Sequence, residues 1–198
     1  MFVLQMLLLK VIQMNKSIIF CGVGGDGIVT ASNICANALL RANFDVKKSE
    51  VHGMSQRGGS VNAFLIYGKK VYSLLPSKGS VNYMFASEKL EALRNVDYLS
   101  ETSIVLINDR VVPIVGASID DYEIDNHLKS FPFEQKIINF NEVAKLHNME
   151  KSVNTIMLGY FSKIIGIDKK YFTRAIADTL NPKLIDINIE AFEIGLNL

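Results

Sequence analysis

Four glycines between an apolar run and an amphipathic segment are the first residues that suggest chemistry. Gly22, Gly24 and Gly27 follow the pattern G-x-G-x-x-G, and Gly25 adds a fourth glycine. Glycine permits the positive φ angles of a tight turn and lets the backbone approach a bound group. The following helix offers its free N–H groups to an anion. The pattern predicts a strand–turn–helix with an anion or nucleotide site, or a turn that only packs the strand against the helix.

A second stretch, residues 49–61 (SEVHGMSQRGGSV), combines polar donors with three glycines. Strand-like segments bound it, so we expect an ordered loop at a strand end, where functional residues concentrate. Ser55 and Arg57 suit the recognition of a phosphate or carboxylate. A structural turn, in which Arg57 pairs with a neighbouring acid, is the alternative. His52 has no Ser or Cys nucleophile motif to act with, so no catalytic residue is predicted.

Together, residues 22–32 (GVGGDGIVTAS) and 49–61 resemble the gamma-type domain of the 2-oxoacid:ferredoxin oxidoreductases. Within residues 49–61, the sequence H-G-M-x-Q-R-G-G-S-V resembles the sequence that the beta subunits of the indolepyruvate ferredoxin oxidoreductases have in this loop. The resemblance covers residues 16–198, which we expect to form a single domain. One departure is Asp26, which stands where the family commonly has glutamine. A carboxylate there suits the helix dipole but repels a phosphate.

This resemblance implies a subunit, inactive alone, of a complex that oxidatively decarboxylates aryl pyruvates. Indolepyruvate, coenzyme A (CoA) and oxidised ferredoxin would give indoleacetyl-CoA, CO2 and reduced ferredoxin. Thiamine diphosphate and iron–sulfur clusters are expected on a larger alpha subunit. The residues expected to hold anionic groups of CoA are Gly22, Gly24, Gly25, Gly27, Ser55 and Arg57. The other reading makes residues 49–61 an interface with the partner subunit.

Other functions are compatible with parts of the sequence. A different 2-oxoacid:ferredoxin oxidoreductase is one, and an interaction module without a catalytic share is another. A stand-alone Rossmann protein that binds NAD or FAD is a third. In such proteins an acidic residue about 20 positions after the glycines binds the ribose, and Glu50 lies near that position. No substrate domain follows the glycine unit, which argues against that reading.

The amino-acid composition excludes some classes of function. The 198 residues are 49% hydrophobic, and 21 basic against 20 acidic residues give a net charge of +1. Nucleic-acid-binding proteins show a basic excess, so nucleic acid is not an expected partner. The two cysteines, Cys21 and Cys35, are not clustered as metal sites require, so we expect no metal site in this chain. Two unpaired and buried thiols fit a reducing cytoplasm.

The first residues, MFVLQMLLLKVIQ, are expected to belong to an apolar N-terminal extension over 1–15, which is either an upstream addition or an apolar tail that packs on a partner. Lys10 follows the apolar run instead of preceding it, and no small-residue cleavage site comes after it, so the run does not fit a secretory signal. It is also too short to cross a bilayer as a helix, and no membrane contact is expected.

Hydrophobic periodicity predicts an α/β, Rossmann-like fold with a mostly parallel sheet, an antiparallel hairpin and a helical C-terminal part. A glycine-containing turn at 68–70 places the hairpin between strands 61–67 and 71–75. The other predicted strands are 17–21, 45–51, 83–86, 103–108 and 136–140. The predicted helices are 28–43, 88–98, 120–130, one that begins at Asn141, and several from Asn154 onward.

Overall fold

Six strands form one sheet in this computed structural model, which describes residues 15–53, 59–113 and 120–198. Their order across the sheet is β2-β3-β1-β4-β5-β6. The strands are β1 (Lys16–Val23), β2 (Asp45–His52), β3 (Ser60–Gly68), β4 (Val81–Ala86), β5 (Leu99–Asn108) and β6 (Glu134–Ile138). The pairs β1–β4, β4–β5 and β5–β6 are parallel, whereas β3 runs antiparallel to both β1 and β2.

Helices cover both faces of the sheet. The group α1 and α5 to α7 packs on one face, and α2 and α3 pack on the other. The helices are α1 (Ile28–Arg41), α2 (Lys89–Arg94), α3 (Asp121–Lys129), α4 (Phe140–Leu146), α5 (Val153–Ile165), α6 (Lys169–Thr179) and α7 (Ile185–Leu196). Among the described residues, the search for a helix with the length and hydropathy of a bilayer span finds none.

The predicted fold class is confirmed, but the predicted position of the hairpin is wrong. Residues 71–75 are not a strand, and the antiparallel hairpin is formed by β2 and β3. The reason is that β1 and β2 already occupy both edges of β3, so a strand after Gly68 has no free edge to pair with. The segment instead runs beside β2, where Val71 N donates to Asp45 Oδ2 at 2.7 Å.

Strand β1 lies at the centre of the core, with side chains buried on both faces. Phe20 faces the α1 and α5 side, and its ring centroid lies 5.0 Å from that of Phe85 on β4. The Phe85 ring in turn meets Phe161 of α5 at 5.6 Å. These aromatic contacts fix α5 against the two central parallel strands, because each ring removes a large apolar area from water.

Helices α5 and α7 are in backbone contact through two glycines. A Cβ added at Gly159 would lie 2.0 Å from the carbonyl oxygen of Phe192, and one added at Gly195 would lie 1.7 Å from that of Ile156. Only hydrogen fits at these two positions, so the glycines set the distance between the helices. This close contact joins the C-terminal helix to the helix that reaches the glycine turn.

We therefore expect Gly195→Ala to destabilise the protein by about 1–3 kcal/mol, because the new methyl group overpacks the contact and pushes α7 away from α5. Thermal and denaturant unfolding measure the loss. Glu190→Ala, an exposed position on the same helix, is the control and should stay within about 0.5 kcal/mol of the unmodified chain. Equal stability of the two variants would contradict the packing argument.

Candidate functional site

The glycine turn connects β1 to α1, as predicted. Gly25 and Gly27 have φ angles of 103° and 82°, which side chains rarely adopt. Asp26 N donates to Val23 O at 3.1 Å and closes the turn. Gly27 is the N-cap of α1, with no side-chain cap and no acidic residue in the first turn of the helix. The first N–H groups of α1 are therefore left without a capping side chain, which is the local arrangement that favours an anion.

Gly22 is needed for close packing rather than for a positive φ angle. A Cβ at this position would lie 2.1 Å from Ser87 Oγ and 2.6 Å from Ile28 Cγ1. Since Ser87 directly follows β4 and Ile28 begins α1, the missing side chain lets the ends of two strands and one helix meet. Gly22 itself belongs to β1 and lies opposite Val61 of β3.

Residues 49–61 meet the glycine turn at their far end. Gly24 N donates to Gly59 O at 2.8 Å, and Gly53 N donates to Ser60 O at 2.9 Å. The β2–β3 hairpin thus brings the described end of this stretch next to the glycine turn. Ser55 and Arg57 lie outside the described residues, so their expected roles stay predictions.

Glu50 is not brought to the glycine turn. It lies on β2, and β3 separates that strand from β1. In a dinucleotide-binding unit the second strand lies parallel and adjacent to the first, which places the acidic residue at the ribose. Here the Glu50 carboxylate accepts from Lys48 Nζ at 2.5 Å, and this hydrogen bond lowers the pKa of Glu50. The arrangement does not support a ribose contact by Glu50.

A cavity of about 320 Å3 opens behind the turn, at the carboxyl ends of the parallel strands. Its walls are polar and come from segments far apart in sequence. They are formed by Gly25, Asp26, Ser87, Asn108, Arg110, Asn141, Glu150, Lys151, Val153 and Asn154. Only the first two of these drew attention in the sequence. Ser87 and Arg110 follow predicted strands, and the rule that ligands bind beyond the carboxyl ends of parallel strands points to these two.

Asp26 is held in an ion pair with Arg110, which the sequence did not predict. The guanidinium Nη2 contacts Asp26 Oδ2, and both side chains are partly exposed, Arg110 at 30% and Asp26 at 27%. Asn154 of α5 donates from Nδ2 to the Asp26 carbonyl at 2.5 Å. The expected repulsion between Asp26 and an anion is therefore offset, because a cation already compensates its charge.

Asn108 connects the strand ends around the cavity. Its Nδ2 donates to Asn141 Oδ1 at 2.7 Å and to Ser87 O at 3.2 Å, and its Oδ1 accepts from Phe140 N at 2.9 Å. This side chain is 1% exposed, and every polar atom of its amide has a partner. Buried networks of this kind restrict the site to one arrangement.

A buried lysine holds the segment that carries Arg110. Lys89 Nζ contacts Asp109 and Asp121 at 2.8 Å and Asp125 at 2.9 Å, and Lys89 N donates to Arg110 O at 2.9 Å. Burial alone would lower the pKa of Lys89, but its hydrogen bonds to the three carboxylates outweigh that effect and raise the pKa. Lys89 stays charged and joins α2, α3 and the residues after β5.

Known proteins with a similar sequence show which family the chain belongs to. The model of the pyruvate ferredoxin/flavodoxin oxidoreductase family matches residues 17–198. The chain belongs to that family. It is thus a subunit of a 2-oxoacid:ferredoxin oxidoreductase.

Curated relatives agree with the indolepyruvate branch that residues 49–61 predicted. The indolepyruvate oxidoreductase subunit IorB of Thermococcus kodakarensis is 34% identical over 189 residues, 91% of this chain and 94% of the relative. That of Archaeoglobus fulgidus is also 34% identical and covers 93% and 95%. The pyruvate synthase subunit PorC of Methanocaldococcus jannaschii is 27% identical over 90% of the chain and 93% of the relative. The predicted resemblance is confirmed.

Solved structures confirm the fold of this family member. The pyruvate oxidoreductase subunit PORC of Thermotoga maritima superimposes with a TM-score of 0.72 at 21% identity, covering 93% of this chain and 96% of that one. A 2-oxoglutarate:ferredoxin oxidoreductase of Magnetococcus marinus, solved with 2-oxoglutarate, coenzyme A and succinyl-CoA, gives 0.74 at 18% identity. The match covers 93% of this chain and 31% of that larger one.

The cysteines of this oxidoreductase subunit do not fit an iron–sulfur cluster. Clusters are held by about four thiolates, whereas the chain has two cysteines, Cys21 and Cys35. Both are fully buried, and burial raises the pKa of each thiol. They are neutral core residues, one in β1 and one in α1.

Removing the cation of the buried lysine cluster should cost stability. We expect Lys89→Met to lower the free energy of unfolding by about 3 kcal/mol at neutral pH, because three carboxylates then lose their shared partner. The raised pKa means that the contribution of Lys89 is complete below about pH 10, the value of an unfolded lysine, and is lost as pH rises through the folded pKa. Denaturant unfolding at pH 7 measures the first effect, and unfolding at pH 10 and above shows the onset of the second, because the folded pKa lies well above the unfolded value.

Lys78→Met is the matched control for this experiment. Lys78 also pairs with an aspartate, Asp97 at 2.9 Å, but both side chains are about two-thirds exposed. Exposed pairs contribute less than about 1 kcal/mol. A Lys89→Met loss no larger than that of the control would show that the cluster does not hold the segment after β5.

Proposed function

We propose that this chain is the small subunit of a complex that oxidatively decarboxylates aryl pyruvates, with indolepyruvate as the model substrate. The relatives named for indolepyruvate are 31–34% identical, whereas those named for pyruvate or ketoisovalerate are 26–27% identical. The loop sequence H-G-M-x-Q-R-G-G-S-V favours the same branch. Indolepyruvate, CoA and oxidised ferredoxin give indoleacetyl-CoA, CO2 and reduced ferredoxin in this reaction.

The redox chemistry belongs to a larger alpha subunit, which carries thiamine diphosphate and iron–sulfur clusters and passes electrons to ferredoxin. Thiamine diphosphate stabilises the carbanion that decarboxylation leaves, and clusters accept the electrons. The two buried thiols of this chain support this division of labour, and they also suit a reducing cytoplasm.

The contribution of this chain is to hold anionic groups of CoA. The observation that carries this proposal is the hydrogen bond from Gly24 N to Gly59 O, which places one end of the 54–58 loop against the glycine turn. The N–H groups at the start of α1 have no capping side chain there. Backbone donors of Gly24, Gly25 and Gly27, together with Ser55 and Arg57 of the adjoining loop, would surround an anion. Gly22 shapes the turn that presents them.

An interface with the alpha subunit is the second role that the same loop could have. The loop connects β2 to β3 in sequence, and β2 is an edge strand with an exposed end at His52. A substitution in the loop distinguishes the two roles. It changes the dependence of the reaction on CoA if the loop binds CoA, and it changes the assembly of the complex if the loop is an interface.

Co-expression of the chain with its larger partner tests the function. The purified complex should reduce viologen with indolepyruvate and CoA, and either subunit alone should not. A preference for pyruvate or 2-oxoglutarate over indolepyruvate would keep the family and reject the aryl substrate. A chain that fails to associate with a cofactor-bearing partner, and binds NAD instead, would reject the proposal.

In the assembled complex, Arg57→Ala should raise the KM for CoA about tenfold with little change in the KM for indolepyruvate, because a charge-assisted contact to CoA is lost. Steady-state viologen reduction measures both constants. Arg174→Ala, at an exposed position of α6, is the control and should leave them unchanged. Unchanged kinetics in an intact complex would reject the CoA role, and loss of co-purification would assign the loop to the interface.

A further inference from the structure

An exposed apolar patch lies at the edge of the sheet that β2 forms. Three of its side chains, Tyr72, Leu74 and Leu75, belong to the segment that follows β3, and Val51 belongs to β2. Tyr72 is 77% exposed, and each of the other three is more than half exposed. We call these four residues the edge patch. Single exposed apolar side chains are common, whereas a cluster of them marks a surface that another segment or molecule covers.

The segment that carries most of the edge patch runs alongside β2. Val71 N donates to Asp45 Oδ2 at the start of β2, and Ser49 Oγ donates to Leu74 O at 3.0 Å farther along the strand. Val51 lies two residues after Ser49 and therefore on the same face of β2. These contacts place Val51 near Leu74, so the four side chains form one surface.

The described chain enters β1 next to this surface. Asn15, the first described residue, donates from Nδ2 to Lys70 O at 3.1 Å. Leu74 is four residues after Lys70, which limits the distance between their Cα atoms to about 14 Å. The sheet register agrees, because Lys16 pairs with Tyr67 near the end of β3. Residues 1–14 are therefore attached to the domain beside the edge patch.

The composition of residues 1–14 is complementary to this surface. Eleven of the 14 residues are apolar, and the polar ones are Gln5, Lys10 and Gln13. The family match begins at residue 17, so these residues lie outside the part of the chain that the family model describes. Each Å2 of apolar area left in water costs about 25 cal/mol. Contact between the segment and the patch removes this cost for both surfaces.

The attachment at Asn15 allows this contact within one chain. A stretch of 14 residues spans about 21 Å as a helix and about 46 Å when extended, and both lengths exceed the 14 Å estimated above. A connection of this length gives an effective concentration on the order of millimolar at the patch. A separate protein rarely reaches that concentration, which favours residues 1–14 as the occupant.

We propose that residues 1–14 pack on the edge patch of the same chain, with their apolar side chains against Val51, Tyr72, Leu74 and Leu75. The packing covers apolar surface at β2, which is an edge strand of the sheet. Uncovered edge strands pair with other chains, so the segment also protects the subunit from such pairing. The proposal is independent of the substrate and of the role of CoA.

The decisive experiment is photo-crosslinking from the patch in the assembled complex. Leu74→benzoylphenylalanine in the full chain should give, after irradiation, a crosslink to a peptide within residues 1–14. Mass spectrometry identifies the peptide, and a mixture of isotope-labelled and unlabelled chains shows whether the crosslink lies within one chain. Crosslinks only to the larger subunit, to a second copy or to other parts of the chain would overturn the proposal, and so would the absence of any crosslink.

Leu146→benzoylphenylalanine is the matched control. Leu146 is also an exposed leucine, but it ends α4, which follows β6 at the opposite edge of the sheet. This variant should give no crosslink to residues 1–14. Crosslinks of equal yield from positions 74 and 146 would show that the segment has no preferred contact, and would overturn the proposal.

A double-mutant cycle in the full chain tests the same contact by stability. One set is Leu7→Ser, Leu8→Ser and Leu9→Ser, and the other is Leu74→Ala and Leu75→Ala. Each set should lower the Tm by about 2–4 °C. The combination should lower it by less than the sum, because both sets break one contact. Additive shifts, or an unchanged Tm with either set, would overturn the proposal.

Discussion

Close backbone contact at Gly22 is the constraint on which the site depends. The end of β1 approaches Ser87 and Ile28 so closely that a methyl group would lie 2.1 Å from the serine oxygen. This approach draws the glycine turn into the space between β4 and α1. From there Asp26 reaches Arg110 after β5 and Asn154 of α5. The polar cavity, the exposed start of α1 and the contact with Gly59 all follow from the position of that turn.

Local sequence signals were sufficient for most of the fold. The apolar run 103–108 predicted the buried part of β5, and the periodic segment 28–43 predicted α1, which ends at Arg41 and is followed by Asn43 with a φ of 68°. The hairpin was misplaced because strand pairing is not a local property. The turn at 68–70 has hairpin chemistry, but β1 and β2 compete successfully for both edges of β3. Sheet order depends on which long-range contacts bury the most apolar surface, and periodicity alone does not contain that information.

The candidate site divides in the same way. The glycines are predictable from the sequence, because the turn requires backbone angles that glycine adopts easily and this requirement depends only on neighbouring residues. Arg110 and Asn154 contact Asp26 across 84 and 128 residues of chain, and no spacing rule connects positions so far apart. Arg110 was nevertheless within reach of inference, since it comes just after a predicted strand, at the edge of the sheet where parallel strands present ligand groups. The contact of Ser87 with Gly22 needed the structure, because the two residues meet only when β1 and β4 pair.

The burial of Cys21 and Cys35 has a practical consequence. Thiol reagents attack the thiolate, and both of these thiols are fully enclosed with raised pKa values. A third cysteine placed at an exposed position would therefore react alone, without removal of the native pair. A fluorophore or spin label attached in this way would report on how the small subunit approaches its partner, in a background free of competing labels.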